Sequence, residues 1–481
     1  MRNRMVRHRR IFPLYEPDPS AASSLPPELM SHLRSLLPET GARLLVGGSA
    51  EAAQLGEVVA VPADQLGELA TGSFAAAILL DGLDGRPLRP LFEEIRRLLA
   101  DRGRFLILRR GAVPAPRELT IALSEAGFVI VKMDESAAPM ILARKEAFFV
   151  RAYRDGDEEQ ILPLFQRSFY VSRSLDRFRW EYQENPYGNR MISEAFTEDG
   201  RLVAHYAGYP VRFFSEVRGE PRIYPALQVG DTMTEPSVRQ VGRGPTSLLG
   251  RTVRHYYARF CEGQVAFNYG VNTGNIQRFS MSFVGARHLE PLPYHVRDAR
   301  APVPVPRPWL ARLAGYRVER FAHFDERWDE LFRRVRGAYR LLIERDARYL
   351  EWRYARCPDS EYVLWAVFRR SRLVGWSVFR HRGDRGERLA WGDALFDPRH
   401  PAALPLLLRH VLAAPEHRSA ETVETWLTSR PAWWSERVRA LGFESRPEPQ
   451  DLGFVFVPFE VDPEEDFRAT LYYTMGDSDL F

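Results

Sequence analysis

Few folds are open to a chain that runs from an alternating strand, through two closely spaced glycines, into an amphipathic helix. Residues 228–249, QVGDTMTEPSVRQVGRGPTSLL, read that way. Val229, Asp231 and Met233 alternate with Gln228, Gly230 and Thr232, the pattern of a strand with two different faces. Pro236 and Ser237 stop that strand, Gly242 and Gly244 free the backbone for dihedrals other residues avoid, and Leu248, Leu249 and Val253 predict a helix. The first amides of a helix have no intrahelical partners and the macrodipole adds partial positive charge, so a diphosphate can sit there. Arg239 and Arg243 add fixed charge.

Arg239, Gly242 and Gly244 fill an R/Q-x-x-G-x-G/A pattern that resembles the acyl-CoA pyrophosphate loop of the GNAT acyltransferases. Residues 268–289, NYGVNTGNIQRFSMSFVGARHL, resemble that family's next strand and helix, with an asparagine after the strand and a glycine ending the helix near Gly285. The resemblance implies an N-acyltransferase that uses acetyl-CoA or another acyl-CoA and acts on a small-molecule or peptide amine. It assigns cofactor contacts to Thr232, Met233, Arg239, Gln240, Val241, Gly242, Arg243, Gly244, Asn272 and Asn275. A backbone amide near Thr232 or Met233 would polarise the thioester carbonyl, and Asp231 would take the proton of the amine. The tyrosine the family often places four residues before the terminal glycine is Met281 here, so the general acid is unassigned, although Tyr269, Ser280 and Ser282 are near. The competing readings are a solvated Arg/Gly turn before a surface helix, and an Asp231 that only bonds a loop.

Length suggests about three domains, and with 45% hydrophobic residues each can bury a core. The formal net charge is +4 and no basic stretch interleaves with aromatics, which argues against a nucleic-acid partner. Two cysteines, Cys261 and Cys357, fit a reducing compartment and exclude a disulfide framework; the histidines show no HExxH-type spacing, so no metal is expected. The basic start is followed by IFPLYEPDPS rather than an apolar segment, and no apolar run reaches the roughly 20 residues of a membrane span. A cytoplasmic protein is the expectation.

In chain order, residues 1–30 read as a flexible, proline-interrupted arm. RLLVGG (43–48), EVVAVPAD (57–64), FAAAILLDGLD (74–84) and RFLILRR (104–110) read as apolar strands with helices between some of them, which argues for a parallel, doubly covered sheet. This region, 31–146, resembles a class I SAM-dependent methyltransferase. The expected acidic strand end and glycine loop appear only as Val46, Gly47, Gly48, Ser49 and Ala50, and the next strand ends in Val61 and Pro62, with Asp64 late. A methyltransferase-like fold that does not use SAM is expected. Residues 147–300 form the GNAT-like domain, and the alternating prolines of APVPVPRPW mark a stiff linker over 301–316.

Beyond the linker a repeat emerges. Trp180, Tyr182 and Pro186 are matched by Trp352, Tyr354 and Pro358, each 172 residues on, and GRLVAHYAGYPV is echoed by SRLVGWSVFRHR. Residues 317–481 are therefore expected to form a second, degenerate GNAT-like domain. Its counterpart to the cofactor loop, DPRHPAALPLLLRHVL, has Arg399 but no glycine, and Pro401 and Pro405 remove amide donors. The fold class expected is multidomain α/β: a Rossmann-like parallel-sheet domain followed by two GNAT-like mixed α/β domains. The rival functions are a SAM-dependent methyltransferase with GNAT-like accessory domains and a non-catalytic scaffold. Tyr206, Tyr209, Tyr224, Trp180 and Tyr182 are candidates for an acceptor groove or for core packing.

Overall fold

The computed structural model of the chain describes residues 27–46, 58–61, 63–79, 87–108, 115–134, 140–305, 309 and 313–481. They divide into two compact units that interleave in sequence. Unit 1 runs to Val171 and adds Ile192–Ala207 and Asp231–Glu262; unit 2 takes Ser172–Met191, Gly208–Gly230 and Gly263–Phe481.

Unit 1 opens with α1 (Pro27–Leu36), which starts inside the stretch read as an arm; residues 1–26 lie outside the described residues. The strands follow as read: β1 (Arg43–Val46), β2 (Val58–Val61), β3 (Phe74–Leu79) and β4 (Leu99–Leu108), then β5 (Phe128–Asp134) and β6 (Met140–Lys145), with α2 (Leu88–Leu98) and α3 (Pro116–Glu125) between them. Both faces are covered, which is why these strands are apolar throughout. Leu44, Val46, Ala77, Leu79, Phe105 and Ile107 pack with Phe92, Ile95, Leu119 and Leu123 of α2 and α3. The alternate residues Leu45, Ala76, Ile78 and Leu106 pack with Leu33 and Leu37 at and just beyond the end of α1.

The sheet order is β2-β1-β3-β4-β6-β5. The expectation of a parallel sheet needs correction: β6 runs antiparallel to both β4 and β5. The five residues between β5 and β6 are too few for a crossover, so β6 must return antiparallel to β5. Gly47–Ala50 and Pro62, where a methyltransferase loop would be judged, lie outside the described residues.

The next elements are β7 (Phe148–Ala152), α4 (Glu158–Phe169), α5 (Leu175–Tyr182), β8 (Met191–Thr197), β9 (Leu202–Ser215), β10 (Arg222–Thr234), α6 (Leu248–Tyr256), β11 (Phe267–Asn272), α7 (Gly274–Phe283), β12 (Arg287–Pro291) and β13 (Tyr294–Asp298). Unit 1 holds β7 and β8 with the 202–207 part of β9 and the 231–234 part of β10. Unit 2 holds the rest of β9 and β10, in the order β12-β21-β11-β10-β9, where β21 is Gly453–Pro458 and β15 (Leu341–Ile343) lies along β9. Two long strands, β9 and β10, thus each contribute to both units.

A further sheet in unit 2 has the order β14-β16-β17-β18-β19-β13-β20, formed by β14 (Tyr316–Arg320), β16 (Val363–Arg369), β17 (Arg372–Arg382), β18 (Arg388–Phe396), β19 (Thr422–Trp426) and β20 (Glu444–Ser445) around β13. Strands are exchanged reciprocally. β13, which follows β12 in the chain, pairs between β19 and β20, while β21, which follows β20, pairs between β11 and β12.

Contacts in unit 2 obey the 172-residue shift seen in the sequence. Trp180 Nε1 donates to the Trp352 carbonyl (2.6 Å) and Trp352 Nε1 to the Trp180 carbonyl (2.8 Å), with the rings stacked at 4.8 Å. Ser174 and Asp346 each cap a helix start; Ser174 donates to Asp359, and Asp346 accepts from Tyr187 (2.8 Å), the same contact with positions 172 residues apart interchanged. Both contacts are mutual between positions 172 residues apart in the chain.

Candidate acyl-CoA site

The stretch Gly230-Asp231…Glu235-Pro236 at the end of β10 recurs as Gly392-Asp393…Asp397-Pro398 at the end of β18, a repeat visible in the sequence that the motif reading missed. Asp231 has φ +49, an uncommon conformation for a residue with a side chain, and is 8% exposed. Met233 is buried and Thr232 half-buried.

The loop that follows is compact, and Arg239, Gln240, Gly242 and Arg243 are exposed. Gly242 has φ +73, and a Cβ there would run into the Thr246 carbonyl and Ser247 Cα; only glycine fits. Gly244 has φ +52. Gly250 of α6, which sequence reasoning passed over, lets the loop lie on the helix: a Cβ there would be 2.5 Å from the Gly244 carbonyl oxygen.

Several amides of the loop are satisfied internally. Val241 N–H donates to Val238 (3.0 Å), Thr246 to Arg243 (3.1 Å), Ser247 to Gly244 (3.1 Å) and Leu248 to Val241 (3.1 Å). The Ser247 hydroxyl caps α6 by accepting from Gly250 N–H at 3.0 Å. The helix start thus offers fewer amides than a bare N-terminus. Among the described residues, the amides of Gln240, Gly242, Arg243 and Gly244 donate no backbone hydrogen bond, and they are consecutive but for Val241. Arg239 folds back, its Nε donating to the Thr234 carbonyl at 3.2 Å, while Arg243 makes no ion pair among the described residues. Four open amides beside an exposed guanidinium can hold a diphosphate.

In unit 2, β10 and β11 pair in parallel only over 226–228 and 267–269 and then separate. Asn272 ends β11, with Nδ2 3.5 Å from Ser280 Oγ. Asn275 lies on α7, and its side chain is outside the described residues. Gly285 takes φ +77 just past the helix, as the glycine reading required. Met281, in the place of the family's tyrosine, is exposed. Tyr269 cannot serve as the acid: it is buried, its hydroxyl donates to the Asp477 carbonyl at 2.7 Å, and burial holds its pKa well above the usual value. The aromatic candidates for an acceptor groove are packing residues. Tyr206 stands edge-on to Tyr256 in unit 1, Tyr209 edge-on to Trp352 in unit 2, and Tyr182 against Phe178.

The corresponding place in the C-terminal segment is closed. β18 and β19 also pair only over 388–390 and 422–424, but the wedge beyond holds a void of only about 10 Å³, lined by Trp391, Asp393, Ala394, Trp434, Tyr472 and Thr474 among others. The Tyr472 hydroxyl donates to the Ala394 carbonyl at 2.7 Å, on the strand position that matches Thr232. Arg399 is clasped by Asp397 (2.7 and 2.9 Å), which also accepts from Arg334 at 3.1 Å.

Among the described residues no group of three or more His, Cys, Asp or Glu could hold a metal, no helix is long and apolar enough to cross a membrane, and Cys261 and Cys357 are buried thiols.

Residues 149–282 match the model of the acetyltransferase (GNAT) domain family. No curated relative matches the sequence. Among solved structures, the chain is similar to a probable N-acyltransferase from Enterococcus faecalis V583, with 11% identity, 66% of this chain and 74% of that one covered, and a TM-score of 0.47. It is also similar to a GCN5-related N-acetyltransferase from Anabaena variabilis ATCC 29413 (13% identity, 64% and 72% covered, TM-score 0.47). A third likeness is to Saccharomyces cerevisiae N-myristoyltransferase with bound myristoyl-CoA (12%, 65% and 83%, TM-score 0.42). The family match spans the strand, glycine loop and helix described above, so the chain carries a GNAT-type N-acyltransferase domain.

Proposed function

We propose that the protein moves an acyl group, acetyl in the simplest case, from acyl-CoA to an amine on a small-molecule or peptide acceptor. The observation that carries this reading is the run of open amides at Gln240, Gly242, Arg243 and Gly244 beside Arg239 and Arg243, inside the segment that matches the GNAT family. Thr232 and Met233 would present the amide that polarises the thioester carbonyl, and Asn272 and Asn275 would bond the pantetheine arm. Asp231 is a candidate to receive the proton of the amine. The C-terminal segment is a second GNAT-like copy without cofactor; the mutual Trp180/Trp352 contacts, the exchanged strands and the filled wedge support that reading. The N-terminal sheet is a methyltransferase-like fold that does not bind SAM, and the protein is cytoplasmic.

Thermal unfolding tests the site. A ligand that binds only the native state stabilises it by RT ln(1 + [L]/Kd), about 2.7 kcal/mol at a hundredfold excess over Kd. Acetyl-CoA should raise Tm and SAM should not. Arg243→Glu should remove most of the shift while leaving the Tm of the free protein within a degree or two, because Arg243 is exposed. A full shift in that variant refutes the loop assignment. Gly242→Asp is a poorer test, since its Cβ alone would disrupt the loop.

A further inference from the structure

Where the chain leaves β12 for β13, unit 2 holds a cleft of about 430 Å³ lined by Glu290, His295, Leu427, Thr428, Arg439 and Phe443 among others. That size suits a small molecule. The cleft follows from the way β13 is placed. Its pairing with β19 reaches Tyr294 and Trp426, Leu427 N–H donates to the Pro293 carbonyl at 2.9 Å, and beyond that the two segments part, since Pro291 and Pro293 have no N–H to continue the ladder. On the other side β20 sets Ser445 opposite His295, and the helix Ala432–Arg439 ends at Arg439.

Three polar groups of the cleft are left with bonding capacity to spare. His295 is only 6% exposed, and its Nδ1 faces the Pro293 carbonyl oxygen at 3.1 Å. That oxygen can only accept, so Nδ1 carries the proton and Nε2 is a bare lone pair, with no hydrogen bond among the described residues. Burial lowers the pKa of the ring and the nearby Arg439 lowers it further, which keeps the imidazole neutral. Glu290 accepts from Arg430 and from the Tyr473 hydroxyl (3.1 Å), both on Oε1. Its Oε2 therefore has no hydrogen-bond partner among the described residues. Arg439 is exposed and makes no ion pair among them. Leu427, Phe443, Pro291 and Pro293 supply an apolar wall.

We infer that this cleft binds an α-amino acid with an apolar side chain. An ammonium group has three donors, and Glu290 Oε2 and His295 Nε2 are two acceptors for them. Arg439 pairs with the α-carboxylate, and the side chain lies against the apolar wall. A ligand without the ammonium leaves the His295 lone pair unfilled in its buried setting, whereas one without the carboxylate leaves Arg439 in water. Discrimination falls mainly on the ammonium for that reason. Every residue of the site belongs to unit 2, and the inference stands apart from the acyl-CoA reading: it assigns a ligand and no step of acyl transfer.

Isothermal titration of the full-length protein with leucine, its hydroxy-acid analogue, the deaminated acid and leucinamide tests this. Leucine should bind once per chain, and the hydroxy acid and the deaminated acid about tenfold more weakly or worse. Arg439→Gln changes an exposed side chain and should leave the Tm of the free protein nearly unchanged. It should weaken leucine about tenfold and leave leucinamide, which has no carboxylate, as in the wild type. His295→Phe keeps a ring in place, and the Pro293 carbonyl retains the Leu427 N–H. This variant should weaken leucine and leucinamide alike. No binding of leucine at millimolar concentration overturns the inference, and so does a hydroxy acid that binds as tightly as leucine. Unchanged leucine affinity in Arg439→Gln, or equal weakening of leucine and leucinamide by it, overturns it as well. None of these results bears on the Tm shift given by acetyl-CoA, so the two readings fail separately.

Discussion

At the scale of single residues, the most informative titrating group is His417, which hydrogen-bonds His381. His381 Nδ1 faces the Gly386 carbonyl oxygen at 2.9 Å, which can only accept, so Nδ1 carries the proton and Nε2 accepts from His417 Nδ1 at 2.8 Å. Burial first, and then the neighbouring His381, push the His417 pKa down to about 4. The sign follows from linkage: the unfolded chain binds the proton more readily, so the stability is present above about pH 6.5 and is lost as pH falls from there through about 4. Its size is on the order of 2 to 3 kcal/mol. His417→Gln should flatten the pH dependence of urea-unfolding stability in that window; an unchanged slope would show that the histidine does not titrate as described. None of this is legible in the sequence, where the two histidines are 36 residues apart with no motif between them. Gly242 is the opposite case: a glycine two residues before another, after a strand, already demanded a positive φ.

At the scale of elements, reciprocal packing holds unit 2 together. Trp180 at α5 and Trp352 in the equivalent turn stack and exchange indole-to-carbonyl hydrogen bonds while almost fully buried. Truncating a buried tryptophan to alanine costs about 3 to 5 kcal/mol, and each single variant should lose that much in denaturant unfolding. Because each ring forms part of the other's site, the double variant should lose less than the sum by about 1 kcal/mol or more. Additive losses would mean that the two rings do not support each other. The repeat was legible as a W-x-Y-x-x-x-P pair, yet its meaning as a contact was not, since a duplicated pattern specifies two similar elements and is silent on whether they meet. The pairing of β13 and β21 was likewise invisible: β21 is apolar throughout and β13 buries His295 and Arg297 rather than Tyr294 and Val296, so neither pattern names a partner.

At the scale of the whole molecule, the wedge between β18 and β19 of the C-terminal segment is filled. Tyr472 and Trp434 line it, and Arg399 is bound to Asp397, so it has no room for a diphosphate. Isothermal titration should therefore give one acetyl-CoA per chain, and a stoichiometry of two would refute the single-site reading. The sequence by itself determined the local geometry: strand, glycine loop and helix over 228–249, doubly covered strands near the N-terminus, and the loss of glycines near Arg399. These are dictated by neighbours in the chain, through alternation, backbone freedom and missing amide donors. Only the tertiary structure decided that β13 pairs between β19 and β20, that β21 pairs between β11 and β12, and that the end of the chain carries Asp479 to Gly230. Those depend on groups far apart in the chain competing for the same hydrogen bonds and the same space, and no local pattern encodes the outcome of that competition.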